Sequence, residues 1–196
     1  MSYTLLFLLT IINIAHFSTI DISLSAVTPD WPFMSTINIG SANTAVDVYF
    51  DTTLDYSFVK TKLCTTCSNK SPYACGTVST SCTTTATPIQ EEYYGMTIQG
   101  YEISDEIQLG KITFPLSFIG IIDAPNIDMD LQGVVGLGIK EYLNSKSMIN
   151  SLISSGLIQS AVIGLSMNEK ETVVTLGGYN KGKMKKKNIV WLDAVN

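Results

Sequence analysis

Arginine is absent from this 196-residue chain: its twelve cationic residues are all lysines, set against seventeen carboxylates for a net charge of -5. Without guanidinium groups there is no bidentate fork for phosphate or carboxylate, and an acidic chain offers no basic field to a polyanion. Phosphoryl transfer and nucleic-acid binding are both disfavoured. Histidine is nearly missing as well. The one copy, His16, borders an apolar run from Leu5 to Ala15 that is too short to span a bilayer and is followed by small and polar residues. That pattern is a secretory signal peptide, although its n-region lacks the usual Lys or Arg. The leader is expected within residues 1–26, with cleavage between 15 and 26, and loss of His16 leaves the mature protein without histidine. Ser-His-Asp and Cys-His catalysis and most zinc hydrolases are then excluded. No metal, cofactor or membrane association is expected of the mature chain, and acid-base chemistry falls to carboxylates, tyrosines or lysines.

Helical periodicity is scarce too. Only Ser147–Leu157 carries it, with Met148, Ile149, Leu152 and Ile153 on one face and Gly156 as the C-terminal stop. The rest reads as β. Phe33–Ile39 alternates apolar and polar, Gly40–Asn43 supplies a turn, and Val46–Phe50 completes a hairpin. Tyr56–Lys60 is a further short strand. Glu91–Tyr101 reads as a glycine-punctuated hairpin with a mobile tip. Ile103–Leu109, Ile112–Phe114 and Leu116–Ile122 follow, separated by Gly110-Lys111 and by Pro115. Gln132–Gly138 is an apolar run broken by glycines, the composition expected where backbones approach closely. Ala161–Ser166 and Thr172–Leu176 flank the turn Asn168–Lys170, and Asn188–Leu192 is a last strand. The basic run Lys181–Lys187 between them reads as a solvated loop.

Four cysteines, Cys64, Cys67, Cys75 and Cys82, fall in a Ser/Thr-rich loop that has no core of its own. Behind a leader, two disulfides are favoured over a four-thiolate zinc site, and which pairing forms stays open. Asn69-Lys70-Ser71 in the same loop is a glycosylation sequon.

The stretch with chemical potential is Val46-Asp47-Val48-Tyr49-Phe50-Asp51-Thr52-Thr53, an apolar strand running into one carboxylate and two hydroxyls. A carboxylate at the end of a largely buried strand is costly unless its oxygens are hydrogen-bonded, so Asp51 either caps a turn or has a catalytic task.

Taken together, these segments resemble the N-terminal lobe of pepsin-like aspartic proteases, family A1, in family order from about Trp31 to the C-terminus. The opening hairpin and Asp-Thr-Gly motif of that family look like Ile37–Thr53, and Phe58 stands where the family often has Trp. The family's flap motif is similar to Tyr93–Gly100. Counting back from Asp105-Glu106-Ile107-Gln108-Leu109-Gly110 puts Tyr93 at the flap tyrosine, whereas matching Tyr-Gly directly chooses Tyr94. Asp-Gly-Ile-Leu-Gly-Leu resembles Gln132–Leu137, and the passage ending Leu-Gly-Gly resembles Met148–Gly178.

The resemblance implies an all-β fold: a single lobe over residues 27–196, a closed or partly open β-barrel or sandwich with one short helix. It also implies aspartic endopeptidase chemistry on a polypeptide substrate, with Asp51 as the catalytic residue supported by Thr52 and Thr53, and with Tyr93, Tyr94, Gly95 and Gly100 forming the flap. In that chemistry two aspartates share one proton across a bound water. The family's C-terminal lobe, which carries the second aspartate, is expected to be absent. The partner would then be a second copy in a homodimer or a separate second lobe. The alternatives are a catalytically inactive binding module or a shortened form of a two-lobed protease. Two residues depart from the motif: Thr53 replaces its glycine, placing a Cβ where backbone amides approach the carboxylate, and Leu54 replaces a hydrogen-bonding Ser. A secreted or lysosomal/vacuolar location follows from the leader and the family.

Overall fold

Period-two patterning turns directly into strands. In β2 (Met34–Ile39) Ile37 and Ile39 point inward, and in β3 (Thr44–Asp51) Val46 and Val48 do the same. The turn between them uses positive φ at Gly40 (70°) and Asn43 (49°), as tight turns require. The computed structural model describes residues 19–25, 34–125, 130, 132–138, 147–167, 171–180 and 182.

The remaining elements are β1 (Ile20–Leu24), β4 (Phe58–Lys60), β5 (Thr83–Tyr93), β6 (Met96–Leu109), β7 (Ile112–Asp123), β8 (Gly133–Gly136), α1 (Met148–Ser154), β9 (Ile163–Met167) and β10 (Thr172–Leu176). The larger sheet runs β2-β3-β8-β4-β7-β6-β5. Because β2 also pairs with β6 through Asn38 and Ile39, six strands close into a barrel, with β5 outside it as an edge. β3 with β8 and β4 with β7 are parallel pairs, and the others are antiparallel. A three-stranded sheet, β1-β10-β9, joins the same core through Ile22, Leu24, Val174 and Leu176. The all-β lobe with one short helix is therefore as the sequence implied.

Several boundaries differ from the sequence expectation, each for a physical reason. Pro115 does not interrupt β7. At that position β7 is paired with β6 alone, since β4 joins only at Ile119–Ile121, so one side of the strand has no ladder to lose a donor from. Gly100 and Glu102 lie within one 14-residue strand, β6, and the two separate segments expected there are continuous. β5 begins at Thr83, well before the expected hairpin, through an exposed threonine-rich stretch whose partner is β6. β1 falls inside the window in which a leader was expected to end. Its Ile-Asp-Ile-Ser-Leu alternation is a strand signal hidden by the neighbouring apolar run.

In α1, Met148, Ile149 and Leu152 are buried, while Ile153, one turn on from Ile149 at the rim of that face, is 37% exposed. The helix opens on Ser147, whose side chain accepts from the Asn150 amide. It closes at Gly156 (φ 68°), with the Gly156 amide on the Ile153 carbonyl and the Leu157 amide on the Leu152 carbonyl. The expected strand Asn188–Leu192 and, apart from Gly182, the basic run lie outside the described residues.

The cysteine loop is stapled by Cys64–Cys67 and Cys75–Cys82, with Cα separations of 5.6 and 5.8 Å. All four thiols are consumed, which removes the zinc reading. The second half of the loop is anchored to β6 at Asp105, a buried carboxylate. Asp105 accepts from Tyr73 Oη at 2.9 Å, Ser81 Oγ at 2.6 Å and the Glu106 amide at 2.9 Å. Burial, and then the bond to Asp105, raise the Tyr73 phenol above its ordinary pKa, so it remains a donor.

Tyr73→Phe keeps the ring, which packs edge-on against Phe118, and deletes one donor from a buried charge. A stability loss of about 1–3 kcal/mol is expected. Urea unfolding measures it, and an unchanged midpoint would show that Asp105 does not depend on this bond.

Candidate active site

β3 delivers Asp51 to the end of the barrel, next to Gly136 of β8 in the parallel register. The loop that follows is pressed onto β8. The Leu137 amide donates to the Asp51 carbonyl and the Gly138 amide to the Leu54 carbonyl, both at 2.8 Å, while the Gly136 amide donates to Ser57 Oγ at 3.1 Å. Side chains at positions 136 and 138 would prevent this. A Cβ on Gly136 would stand 2.2 Å from the Tyr56 carbonyl oxygen, and one on Gly138 would stand 2.7 Å from that of Leu54. The glycine-broken run is thus explained by close backbone approach, as its composition suggested.

With the loop fixed, the half-buried Asp51 carboxylate has two distinct sides. Oδ1 accepts from the Thr53 amide at 2.8 Å and from Thr53 Oγ1 at 2.6 Å. Thr53 therefore does not obstruct the site as its Cβ suggested. Its amide still reaches the carboxylate, and its hydroxyl adds a second donor to the same oxygen. Leu54, which has no donor, is buried in the second apolar cluster with Phe58, Tyr93 and Val134. Thr52 is exposed and brings no hydrogen bond to the carboxylate among the described residues.

Oδ2 faces the β5–β6 hairpin. Tyr93 Oη donates to it at 3.3 Å and Tyr94 Oη at 3.4 Å, and Tyr94 Oη also lies 3.4 Å from Thr53 Oγ1. The hairpin tip is a two-residue turn between the paired Tyr93 and Met96, with φ of 48° at Tyr94 and 75° at Gly95. Positive φ at both central positions is the geometry that matches strand twist in tight hairpins, and glycine suits the second.

The two tyrosines differ in environment. Tyr93 is 2% exposed, its ring edge-on to Phe58 at 5.0 Å and 72°, whereas Tyr94 is 66% exposed. Tyr56 Oη donates to the Glu92 carbonyl at 2.8 Å, tying the Asp51 loop to the hairpin stem. Burial, and then the charge of Asp51, push the Tyr93 phenol up. Tyr56 is raised by burial and by the charges of Glu91, Asp55, Asp51 and Glu92 in turn. Both phenols are held in the donating form.

The structure therefore brings together Asp51, Thr53, Tyr93 and Tyr94, with Gly95 forming the turn. It does not bring Gly100 to them. That glycine sits in the hairpin stem, where a Cβ would stand 2.3 Å from the Gly120 carbonyl oxygen. Tyr56, whose hydroxyl joins loop and hairpin, was not among the residues singled out from sequence. An aromatic side chain beside a short strand reads as core, and only the fold reveals its polar end. Asn69 is exposed in a turn at φ 44°, while Ser71 of the same sequon is buried.

A family model described as eukaryotic aspartyl protease matches residues 32–196. The gamma-glutamyl phosphate reductase of Clostridium acetobutylicum is 30% identical over 94 residues, covering 40% of this chain and 22% of the reductase. The chain spans about a fifth of that relative's length, too small a share to carry a fold or an activity across.

Proposed function

The chain belongs to the eukaryotic aspartyl protease family, and from this premise we propose that Asp51 is one of the two carboxyls of an aspartic-type endopeptidase site. The observation that carries this reading is the asymmetric carboxylate. One oxygen is clamped by the Thr53 amide and hydroxyl, and the other is turned toward a hairpin bearing two phenols. In the reaction, an ionised aspartate takes a proton from water as the water attacks the peptide carbonyl. A second, protonated aspartate donates to the carbonyl oxygen, and like charges so close push the two pKa values apart. Thr53 orients the carboxylate, and Tyr93, Tyr94 and Gly95 form the flap over a polypeptide substrate.

The acid partner must come from outside the residues described above: a second copy, a separate lobe, or the remainder of a longer two-lobed protein. Leu165 and Met167 support a companion. They stand on one face of β9, an edge strand of the smaller sheet, and are 52% and 58% exposed. Open edges and exposed apolar side chains favour association. A second reading, a non-catalytic binding module, is favoured by the two phenols already engaged on Oδ2.

The leader ends before Ile20 in this proposal. Ile22 and Leu24 are core residues, and Asp21 accepts from Thr175 Oγ1 at 2.6 Å and Asn180 Nδ2 at 3.0 Å, so the folded lobe uses β1. Cleavage between residues 15 and 19 fits this. Secretion or a lysosomal/vacuolar location is supported by two disulfides, and the exposed Asn69 is available for a glycan.

At acid pH and at concentrations that favour association, the chain is expected to cleave an unfolded protein substrate. The cleavage should be sensitive to a pepstatin-type inhibitor and abolished by Asp51→Asn. If wild type and Asp51→Asn are equally inert while a polypeptide still binds both, the binding-module reading replaces this one. Intact mass of the secreted protein is expected to place its N-terminus between His16 and Ile20, and a start beyond Leu24 would contradict the leader boundary.

A further inference from the structure

We infer that Tyr94 is a removable cap on Asp51, held by the carboxylate itself and displaced when a companion carboxyl arrives. The two flap tyrosines divide the work. Tyr93 is an anchor: its ring is buried against Phe58, and its position is set by packing. Tyr94 lacks that burial. It is 66% exposed, and its ring meets the edge of Tyr93 at 4.7 Å.

Its backbone lies at φ 48°, a region that costs a non-glycine, non-Asn/Asp residue energy, at a turn position where Asn, Asp or Gly is usual. What Tyr94 gains there is polar: its hydroxyl reaches Asp51 Oδ2 and Thr53 Oγ1, each at 3.4 Å. Both contacts are long for O–H···O bonds, so the hold is weak and reversible, as a cap that must leave requires.

The consequence is steric and chemical. Oδ1 is already taken by the two Thr53 donors, and Oδ2 by the two phenols. Each carboxylate oxygen thus already has two donors beside it, so a second acid or an attacking water must displace a phenol to bond Oδ2, and Tyr94 is the one not held by burial. The lobe on its own thus keeps both Asp51 oxygens hydrogen-bonded, and assembly frees Oδ2. That a companion carboxyl does the displacing rests on the two-carboxyl reading above; the cap itself does not.

Hydrogen–deuterium exchange of the full chain, followed by mass spectrometry over residues 88–99, tests the cap without any catalysis. Tyr94→Phe is expected to raise exchange of the amides around the turn by about three- to tenfold. Asp51→Ala should do the same, and the double variant should give less than the sum of the two, because both remove the Tyr94–Asp51 contact. Exchange over 107–114 in the barrel should stay unchanged, which guards against general unfolding. If Asp51→Ala fails that control, Thr53→Val, which deletes the other polar neighbour, replaces it. Unchanged exchange at the turn in Tyr94→Phe would overturn the cap. An inert chain with the expected exchange pattern would instead count against the endopeptidase reading alone.

Discussion

The direction in which the Asp51 carboxylate points governs the site, and it is set by a close fit between two backbones. The loop after β3 can lie against β8 only because Gly136 and Gly138 carry no Cβ. Once there, it turns the Thr53 amide and hydroxyl onto Oδ1. Rotation of the carboxylate would break two bonds to a charged acceptor, each stronger than a neutral hydrogen bond. Oδ2 is therefore committed to the side of the β5–β6 hairpin, the side that the proposed function gives to a substrate and a second acid.

The rest of the lobe serves to hold that loop and that hairpin in register. Closure of β2 onto β6 makes one continuous barrel, so that β3, which carries Asp51, and β6, which forms half of the hairpin facing it, are fixed through the same core. A second apolar cluster lies under the hairpin, where Phe58, Tyr93, Ile98 and Val134 pack together. Burial of each such side chain contributes about 1.5–3 kcal/mol before entropic costs. Disulfides staple a Ser/Thr-rich loop that could not fold on apolar contacts alone, and Asp105 fixes it to β6. Among the described residues β9 is an edge of the smaller sheet, with Leu165 and Met167 exposed on it.

Much of this was legible in the sequence because it depends on local rules. Alternation marked β2, a turn followed by an apolar run marked β3, the glycine-broken run marked β8, and Gly156 marked the end of α1. Other features depend on neighbours that no local pattern names. Pro115 is tolerated because β4 pairs further along β7, and Ile153, at the rim of the apolar stripe, is left 37% exposed. At the site, Asp51 was identifiable from its strand and motif. The choice between Tyr93 and Tyr94 could not be settled by spacing, and the geometry shows why: both hydroxyls reach the same oxygen. At Thr53 the sequence pointed both ways, since the residue sits in the motif that supports Asp51 but carries a Cβ. A Cβ in place of glycine suggested obstruction, but the added hydroxyl supplies a donor that Leu54 cannot.

The central claim is that one lobe holds half of the reacting groups and must meet a second carboxyl before water can attack a peptide bond. The most direct test is the dependence of acid-pH peptide hydrolysis on chain concentration, followed alongside the oligomeric state. The account predicts no turnover in dilute solution where the chain is a lone monomer, with activity emerging only as a companion is bound. Proportional, first-order turnover by an isolated monomer would contradict it.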